Sequence, residues 1–501
     1  MADNSKNQRG AALMLVLALV VILIILGFAA MSVADNQTIM VNRHQQREKA
    51  LHYAEAGVHR YMAELNKDFE FYSTEDSADM EHVDTAFEEG FYRLDVEVPS
   101  SESPYVTIRS TGWVENSDIT RTVEVQLQKR SFLINLINAN IGSDRYWYNN
   151  RFIRGDVVNG SLHMNGDLII NGHTGDGFSG PIFNGPVTYA GNYTRESLPL
   201  FTDDTTEFNA GPPQKVDRVG MPSSNENLKG KADYVFNGRT CVWINGSSLE
   251  VKDKDGTETT ITIPEDDGLI IYVKGATGNN KWSKQTANVY VSGVLDGRLT
   301  IAAENDIYIT YDDPTNWVNP GTTPAATGGV TYAGLSSAGT IDSADIEGMT
   351  EIDDMLGLMA NRNVRILHYN WPKEDGLWHG GDTLLSWIDV APTDINVHAA
   401  VCAVTGSFEY EEHSSGSAKG SLTVVGSITQ YMVGPVAGYA ANLLDISEEY
   451  DFLHSRVSGY GKNYWYDPRM MYEAPPDFLE PNNSGWEIIE WAESNTPVSA
   501  L

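Results

Sequence analysis

Polar and apolar positions divide this chain into three regimes. From Ala11 to Met31 every position is apolar and uncharged, with Leu, Val, Ile and Ala dominating. As a helix rising about 1.5 Å per residue, that run is roughly 31 Å long, enough to cross the hydrocarbon core of a bilayer. The helical period continues beyond it. Leu51, Ala54, Val58, Tyr61, Met62 and Leu65 recur at three- and four-residue steps, which places them on one stripe of a helix. Together the two parts predict a single rod over residues 11–67, about 57 residues and on the order of 85 Å long. Between Phe91 and Phe132 the period drops to two. Tyr92, Leu94, Val96 and Val98 alternate with charged neighbours, and Val106, Ile108, Val123, Val125 and Leu127 repeat the alternation. That pattern predicts a half-buried antiparallel sheet over residues 68–132, with turns at Pro99–Pro104 and Glu115–Asp118.

The remaining chain is mostly short apolar runs punctuated by tight turns. Val157-Val158, Leu162–Met164 and Leu168–Ile170 are separated by Asn159-Gly160 and Asn165-Gly166-Asp167, and the texture returns at Val289–Val291, Leu299–Ala302 and Ile307–Ile309. Two or three strand residues followed by a turn, many times over, suit a solenoid or a series of hairpins. A right-handed parallel β-helix over residues 133–480 is the favoured architecture, although no strict repeat length is visible. Residues 481–501 read as an irregular C-terminal tail, with a short helix from Trp486 to Ala492. The fold class is therefore mainly β, with one long N-terminal helix, a small antiparallel sheet and a large parallel solenoid.

Function is most legible at the start. Lys6 and Arg9 precede the apolar run, so the positive-inside tendency leaves the N-terminus cytoplasmic and the rest of the chain outside a single-pass anchor. A secretory signal would have a shorter core, and an ordinary anchor does not explain why the run begins directly after Arg9-Gly10. The arrangement Arg9-Gly10-Ala11-Ala12-Leu13 resembles the class III leader of type IV pilins, in particular the PilX N-terminal class. The resemblance implies a leader over residues 1–10, cleavage between Gly10 and Ala11 by a prepilin peptidase, N-methylation of Ala11, and assembly with other pilins or pseudopilins through the N-terminal helix. It also implies an extracellular, pilus-associated location after processing. Ala54-Glu55-Ala56-Gly57 fits the same class. Later phrases, among them Gly297–Ile309, Gly357–Val364, Gly420–Ile428 and Gly461–Arg469, resemble PilX-type surface proteins with a C-terminal domain of unknown function. One position departs from the major pilins, which carry glutamate as the fifth residue after the cut where this chain has Leu15. That departure resembles minor subunits such as pseudopilin K of type II secretion, whose proposed place is a filament tip. Leu15 equally keeps a membrane helix apolar, since a buried carboxylate there costs about 2.5 to 3.5 kcal/mol on insertion scales.

Composition narrows the chemistry. A formal charge of -34 and pI near 4.5 oppose nucleic-acid binding, because phosphates would be repelled. Carboxylate doublets such as Asp203-Asp204, Asp266-Asp267, Asp312-Asp313 and Asp353-Asp354, and the phrase Trp378-His379-Gly380-Gly381-Asp382, are what an acidic chain supplies to its turns, so no catalytic residue is assigned. The stripe His44, Glu48, His52, Glu55 and His59 has helical spacing but reads as a solvated face, and no metal site is assigned. Gly175–Gly180 matches a dinucleotide-binding string without the following helix, and Asp253-Lys254-Asp255-Gly256 reads as a hairpin turn rather than a calcium loop. No cofactor is expected, and calcium elsewhere in so acidic a chain is not localised. Whether Cys241 and Cys402 pair is left open. Tyr146-Trp147-Tyr148 and Tyr464-Trp465-Tyr466 are dense enough for surface contact with carbohydrate or protein, and would equally cover the end of a solenoid. The expectation is a non-enzymatic minor pilin-like subunit displaying an acidic solenoid for adhesion or assembly priming. The rival is a surface-anchored carbohydrate-active enzyme.

Overall fold

The computed structural model describes residues 5–100, 103–141, 152, 156–170, 180–195, 205–265, 268–316, 327–335, 341–370, 388–439 and 456–499. It is mainly β and divides into two compact units, one made of Met1–Lys129 with Gly485–Leu501, the other of Arg130–Ser484. The second unit is an insertion in the chain of the first.

The first unit is built on α1, Ser5–Leu65. Its apolar first half, from Leu13 through Phe28, is exposed along its length, and the helix is long and apolar enough to cross a membrane. Its second half packs on an antiparallel sheet of β1 (Thr85–Phe87), β2 (Gly90–Glu97), β3 (Val106–Val114) and β4 (Thr120–Lys129). Ala54, Val58, Tyr61 and Leu65 from the helix meet Tyr92, Leu94, Val106, Ile108, Val123, Val125 and Leu127 in one core. The helix approaches β3 so closely that side chains are excluded at two glycines. A Cβ on Gly112 would lie 2.3 Å from the Ala50 carbonyl oxygen, and one on Gly57 would lie 2.5 Å from Ser110 Oγ. Glycine at these two positions sets the helix–sheet distance.

The C-terminal segment differs from the sequence expectation. Instead of a tail with a short helix, Trp486–Ser494 is a strand, antiparallel to β4 from Trp486 opposite Lys129 to Ser494 opposite Thr122. Trp486, Ile488, Ile489 and Trp491 favour extended backbone, and the free edge of β4 supplies the hydrogen-bonding partner that sequence alone did not reveal. Val498 N donates to Thr111 Oγ1 (2.8 Å) and Arg93 donates to the Val498 carbonyl (3.0 Å), which fixes the chain beyond the strand.

The second unit is dominated by one large sheet whose ladders are almost all parallel. One ladder runs through Tyr234–Asn237, Leu269–Lys274, Arg298–Ala303, Met355–Ala360 and the second halves of Asp394–Ala403 and Ala418–Met432. It then continues into Ile137–Ile141, Leu162–Met164, Val187–Tyr189 and Gln214–Lys215. Spatial order therefore departs from chain order: Ile428 pairs with Ile137, so strands late in the chain abut the earliest ones. Between residues 137 and 209 the step is regular, with Leu162 between Ile137 and Val187, and Ile182 between Val157 and Glu207. Side chains 25 residues apart hydrogen-bond in file, Asn184 to Asn159 (2.7 Å) and Asn209 to Asn184 (2.6 Å). A repeat is thus present where the sequence reading found none. It was obscured because later steps, Leu269 to Leu299 and Leu299 to Leu356 among them, are unequal.

This order requires a connection from one end of the ladder to the other, and residues 216–233 make it. Asn225, fully buried, donates to the Ala303 (3.0 Å) and Met359 (2.9 Å) carbonyls, while Leu228 packs among Tyr272, Ala302, Met355, Met359, Ala400 and Cys402. A second strap, residues 467–484, covers the same cluster with Met470, Phe478 and Leu479. The straps are bonded to each other, with Asn482 N donating to the Gly220 carbonyl (2.8 Å) and Gly220 N to Asn483 Oδ1 (2.7 Å). The second strap is anchored by an ion pair inside the fold: Arg469 Nη2 lies 2.7 Å from Asp467 Oδ2, with side chains 1% and 0% exposed. Arg469 also donates to the Ile352 carbonyl (2.6 Å) and lies over the Tyr332 ring.

Two outcomes follow from this buried cluster. Arg469→Met strands the Asp467 carboxylate and is expected to cost about 3 to 5 kcal/mol in urea unfolding of the second unit. His398, fully buried, accepts a hydrogen bond from Tyr332 N at Nδ1 (3.1 Å). Burial, reinforced by the Arg469 guanidinium, pushes its pKa from 6.5 down to about 3. The unfolded chain therefore takes up a proton near 6.5 that the folded chain refuses until about 3, and stability falls as pH drops through that window. His398→Gln should flatten the fall by up to about 1.4 kcal/mol per pH unit, read from urea midpoints against pH.

Candidate functional site

The residues singled out in the sequence fall into three groups. Arg9, Gly10 and Ala11 lie in the first turns of α1, and Leu15 follows on the same helix, its side chain 68% exposed. Tyr464 is buried at 5% exposure in the core of the second unit. Trp465 and Tyr466 are partly buried against that core, Trp465 donating to Asn463 Oδ1 (2.8 Å) and Tyr466 to the Leu133 carbonyl (2.8 Å). Their polar ends are thus engaged within the unit. Tyr146, Trp147 and Tyr148 lie outside the described residues, as do Asp203-Asp204, Asp266-Asp267, Gly175–Phe178 and the Trp378–Asp382 phrase.

The polar stripe on α1 is a solvated face, with His44 and Glu48 3.9 Å apart and His52 and Glu55 3.3 Å apart, both histidines well exposed. Asp253-Lys254-Asp255-Gly256 turns between the antiparallel strands Ser248–Lys252 and Glu258–Thr262, Asp253 Oδ1 accepting from the backbone of Asp255 and Thr257 (both 2.9 Å). Cys241 and Cys402 are both free thiols, and burial pushes each up to about 12. Among the described residues Glu81, His82 and Asp95 bring ligand-type atoms within 4.8 Å of one another. Asp95 there already pairs with Arg109 (3.0 Å) and His82 Nδ1 bonds the Ser499 carbonyl (3.1 Å), so the group joins the C-terminal segment to the sheet.

The groove that the sequence reading missed lies on the second unit. The strands Val289–Leu295, Ile307–Ile309, Val364–Ile366 and Phe408–Tyr410 form a parallel ladder in which Tyr290, Tyr308, Arg365 and Glu409 fall in register. Each is the middle residue of a triple such as Val289-Tyr290-Val291 or Ile307-Tyr308-Ile309. The flanking residues enter the core, so the middle one takes the other face. Trp282, Tyr290 and Tyr308 stack in file, with ring centroids 5.1 and 5.0 Å apart and planes within 9° and 11°. Arg365 continues the file. Its Nε donates to Glu409 Oε1 (2.7 Å) and its Nη1 faces Asp306 Oδ2 (3.5 Å). Across the groove, Lys281 Nζ donates to Glu411 Oε1 (2.6 Å) and the Tyr369 carbonyl (2.9 Å), and Glu411 Oε2 accepts from His368 N (3.2 Å).

The groove lined by Lys281, Trp282, Tyr308, Arg365, Glu409 and Glu411 is open to solvent and has a volume of about 600 Å³, within the usual range for small-molecule sites, while Tyr290 and Asp306 lie buried behind it. Asn279 and Asn280 stand exposed on the rim. Burial pulls the Lys281 ammonium below its usual pKa against the pull of Glu411, and pushes the Glu409 carboxyl up against Arg365. Most of the charged groups are thus held in fixed pairs, which presents rigid donors and acceptors beside aromatic rings. The middle positions of the triples were legible as outward-facing; the pairing that aligns them across unequal loops was not.

No family model matches this chain, and no curated protein matches it. Among solved structures, the chain is similar to the competence-associated pilin ComZ from Thermus thermophilus, at 11% identity and a TM-score of 0.28, over 90% of this chain and 97% of that one.

Lys281→Met leaves Glu411, with its side chain 10% exposed, unpaired and is expected to cost about 3 kcal/mol, most of it recovered in Lys281→Met/Glu411→Leu. A double-mutant cycle of denaturant midpoints checks this.

Proposed function

We propose that this chain is a minor pilin-like subunit, held in a membrane by α1 before assembly and displaying its second unit as a right-handed parallel β-solenoid on a type IV pilus-like filament or its tip. The observation that carries the reading is the first unit itself. It is one helix whose exposed apolar half can span a bilayer and whose other half is the spine of an antiparallel sheet. Such a helix suits two environments in turn, lipid before assembly and the apolar helices of neighbouring subunits afterwards. The Arg9-Gly10-Ala11 junction supports processing by a prepilin peptidase, and Leu15 in place of glutamate supports a minor, tip-type position.

The parallel ladders and the register of 25 residues support the solenoid. Display for adhesion or assembly priming is favoured over enzymatic work, because Glu409, Glu411 and Asp306 are each engaged by a cation rather than left as an acid and base pair. The N-terminus of protein purified from its native cells tests the reading by mass spectrometry. Methylated Ala11 is expected. An intact leader would point to a plain anchor, and a start after Ala34 to simple export.

A further inference from the structure

We propose that the outer edge of the strand Tyr234–Asn237 is a docking site for an acidic, extended segment of another protein, added to the large sheet as its next strand. The inference is independent of how the chain is anchored or processed, since every residue it uses belongs to the second unit.

The long parallel ladder stops at this strand. Tyr234–Asn237 pairs with Leu269–Lys274 on one side and, among the described residues, with no strand on the other. The next segment of the chain is treated differently: Thr240–Gly246 is extended by two antiparallel strands, Ser248–Lys252 and Glu258–Thr262, whose Leu249, Val251 and Ile261 enter the apolar core. There the sheet continues, and at Tyr234–Asn237 it ends. Tyr234 and Val235 are 41% and 43% exposed at this end, while Phe236 is partly buried against the core. The strand itself carries none of the charges or prolines that commonly blunt a free edge. Unpaired backbone groups beside exposed β-forming side chains are what an added strand uses.

Charge selects the occupant. Residues 227–246 and 268–295 carry Lys229, Lys231, Arg239, Lys274, Lys281 and Lys284 against one acid, Asp233, in a chain of formal charge -34. Glu304 lies 3.7 Å from Lys229, Asp477 pairs with Lys231, and Glu411 closes Lys281. Lys254, whose side chain reaches Gly238, is paired with Asp255. That leaves Arg239, Lys274 and Lys284, for which the described residues supply no carboxylate partner. All three gather at the C-terminal end of the strand: Lys274 stands opposite Asn237 in the ladder, and Arg239 N donates to the Lys284 carbonyl (3.1 Å). Asp233, whose carboxylate accepts from Ile270 N (2.9 Å), marks the other end. A segment that is apolar beside Tyr234 and Val235 and acidic beside Asn237 and Arg239 matches this distribution. A bare polyanion meets the cations but leaves the backbone edge unpaired and the apolar side chains in water.

The test follows fluorescence anisotropy of labelled synthetic peptides of about ten residues on the full chain in detergent micelles. Four peptides are compared: alternating Val-Glu, alternating Val-Lys, oligoglutamate, and Val-Glu with alternate amides N-methylated. Alternating Val-Glu is expected to bind at least about tenfold more tightly than each of the others, and to slow hydrogen exchange at the Tyr234–Asn237 amides. Lys274→Glu/Lys284→Glu should weaken it about tenfold with the melting temperature unchanged, since neither side chain is ion-paired. The peptide comparisons decide the matter even if that variant unfolds. No binding of Val-Glu, equal affinity for Val-Lys or the N-methylated peptide, protection away from residues 234–237, or undiminished binding in the folded variant would each overturn the proposal. So would oligoglutamate binding as tightly, which makes this a polyanion surface, or self-association that protects the same amides without peptide, which makes the occupant a second copy.

Discussion

The pairing of β4 with the C-terminal strand is the constraint on which the rest of the architecture depends. Lys129 stands opposite Trp486, so the chain leaves the first unit and re-enters it at neighbouring positions of one sheet. Closing a flexible loop as long as Arg130–Ser484 would cost about 5 kcal/mol of chain entropy. The folded second unit removes that cost in advance, because Arg130 Nη1 donates to the Asn483 carbonyl at 3.0 Å and holds its two ends together. The small sheet can then receive its fifth strand almost as though it followed a tight turn. Stability in the first unit is thereby coupled to completion of the second.

A similar dependence governs the large sheet. Its central junction joins Ile428 to Ile137, and Asn138 to Thr429 across 291 residues of sequence, so the ladder is continuous only when both runs of strands have formed. The strap through Asn225 crosses strands from the later run, and the strap through Arg469 locks onto Ile352. Nearly all of these contacts are non-local, which makes for slow, cooperative folding. The polar anchors specify where each strap lies: Asn225 and the Arg469–Asp467 pair have partners at one position only, whereas Leu228 or Met470 could slide along an apolar surface.

What the sequence revealed, and what it hid, follows from this division between local and distant determinants. The helix of the first unit was legible because Leu51, Ala54, Val58, Tyr61 and Leu65 repeat with the period that buries them. Strands β2 and β4 were legible because their alternation coincides with one wetter and one dry face, whereas β3 between them is buried on both faces over most of its length. The Trp486–Ser494 strand was misread because its extended state is decided by an edge more than 350 residues earlier. The Asn159, Asn184 and Asn209 file was present in the sequence, but only three coils share its step, too few to stand out against unequal neighbours. The groove was least legible. Tyr308, Arg365 and Glu409 are far apart in sequence, and register alone, set by loops of different length, makes them adjacent.

The insertion of the second unit between two paired strands also has a mechanical side. A domain appended at a chain terminus hangs on one covalent link, and a pull on it peels its last strand away residue by residue. Here any load passing between the two units is divided over two backbone crossings, at Lys129–Arg130 and Ser484–Gly485, which lie at the same end of an antiparallel pair. Proteolytic nicking of one crossing would leave the second unit attached by the other.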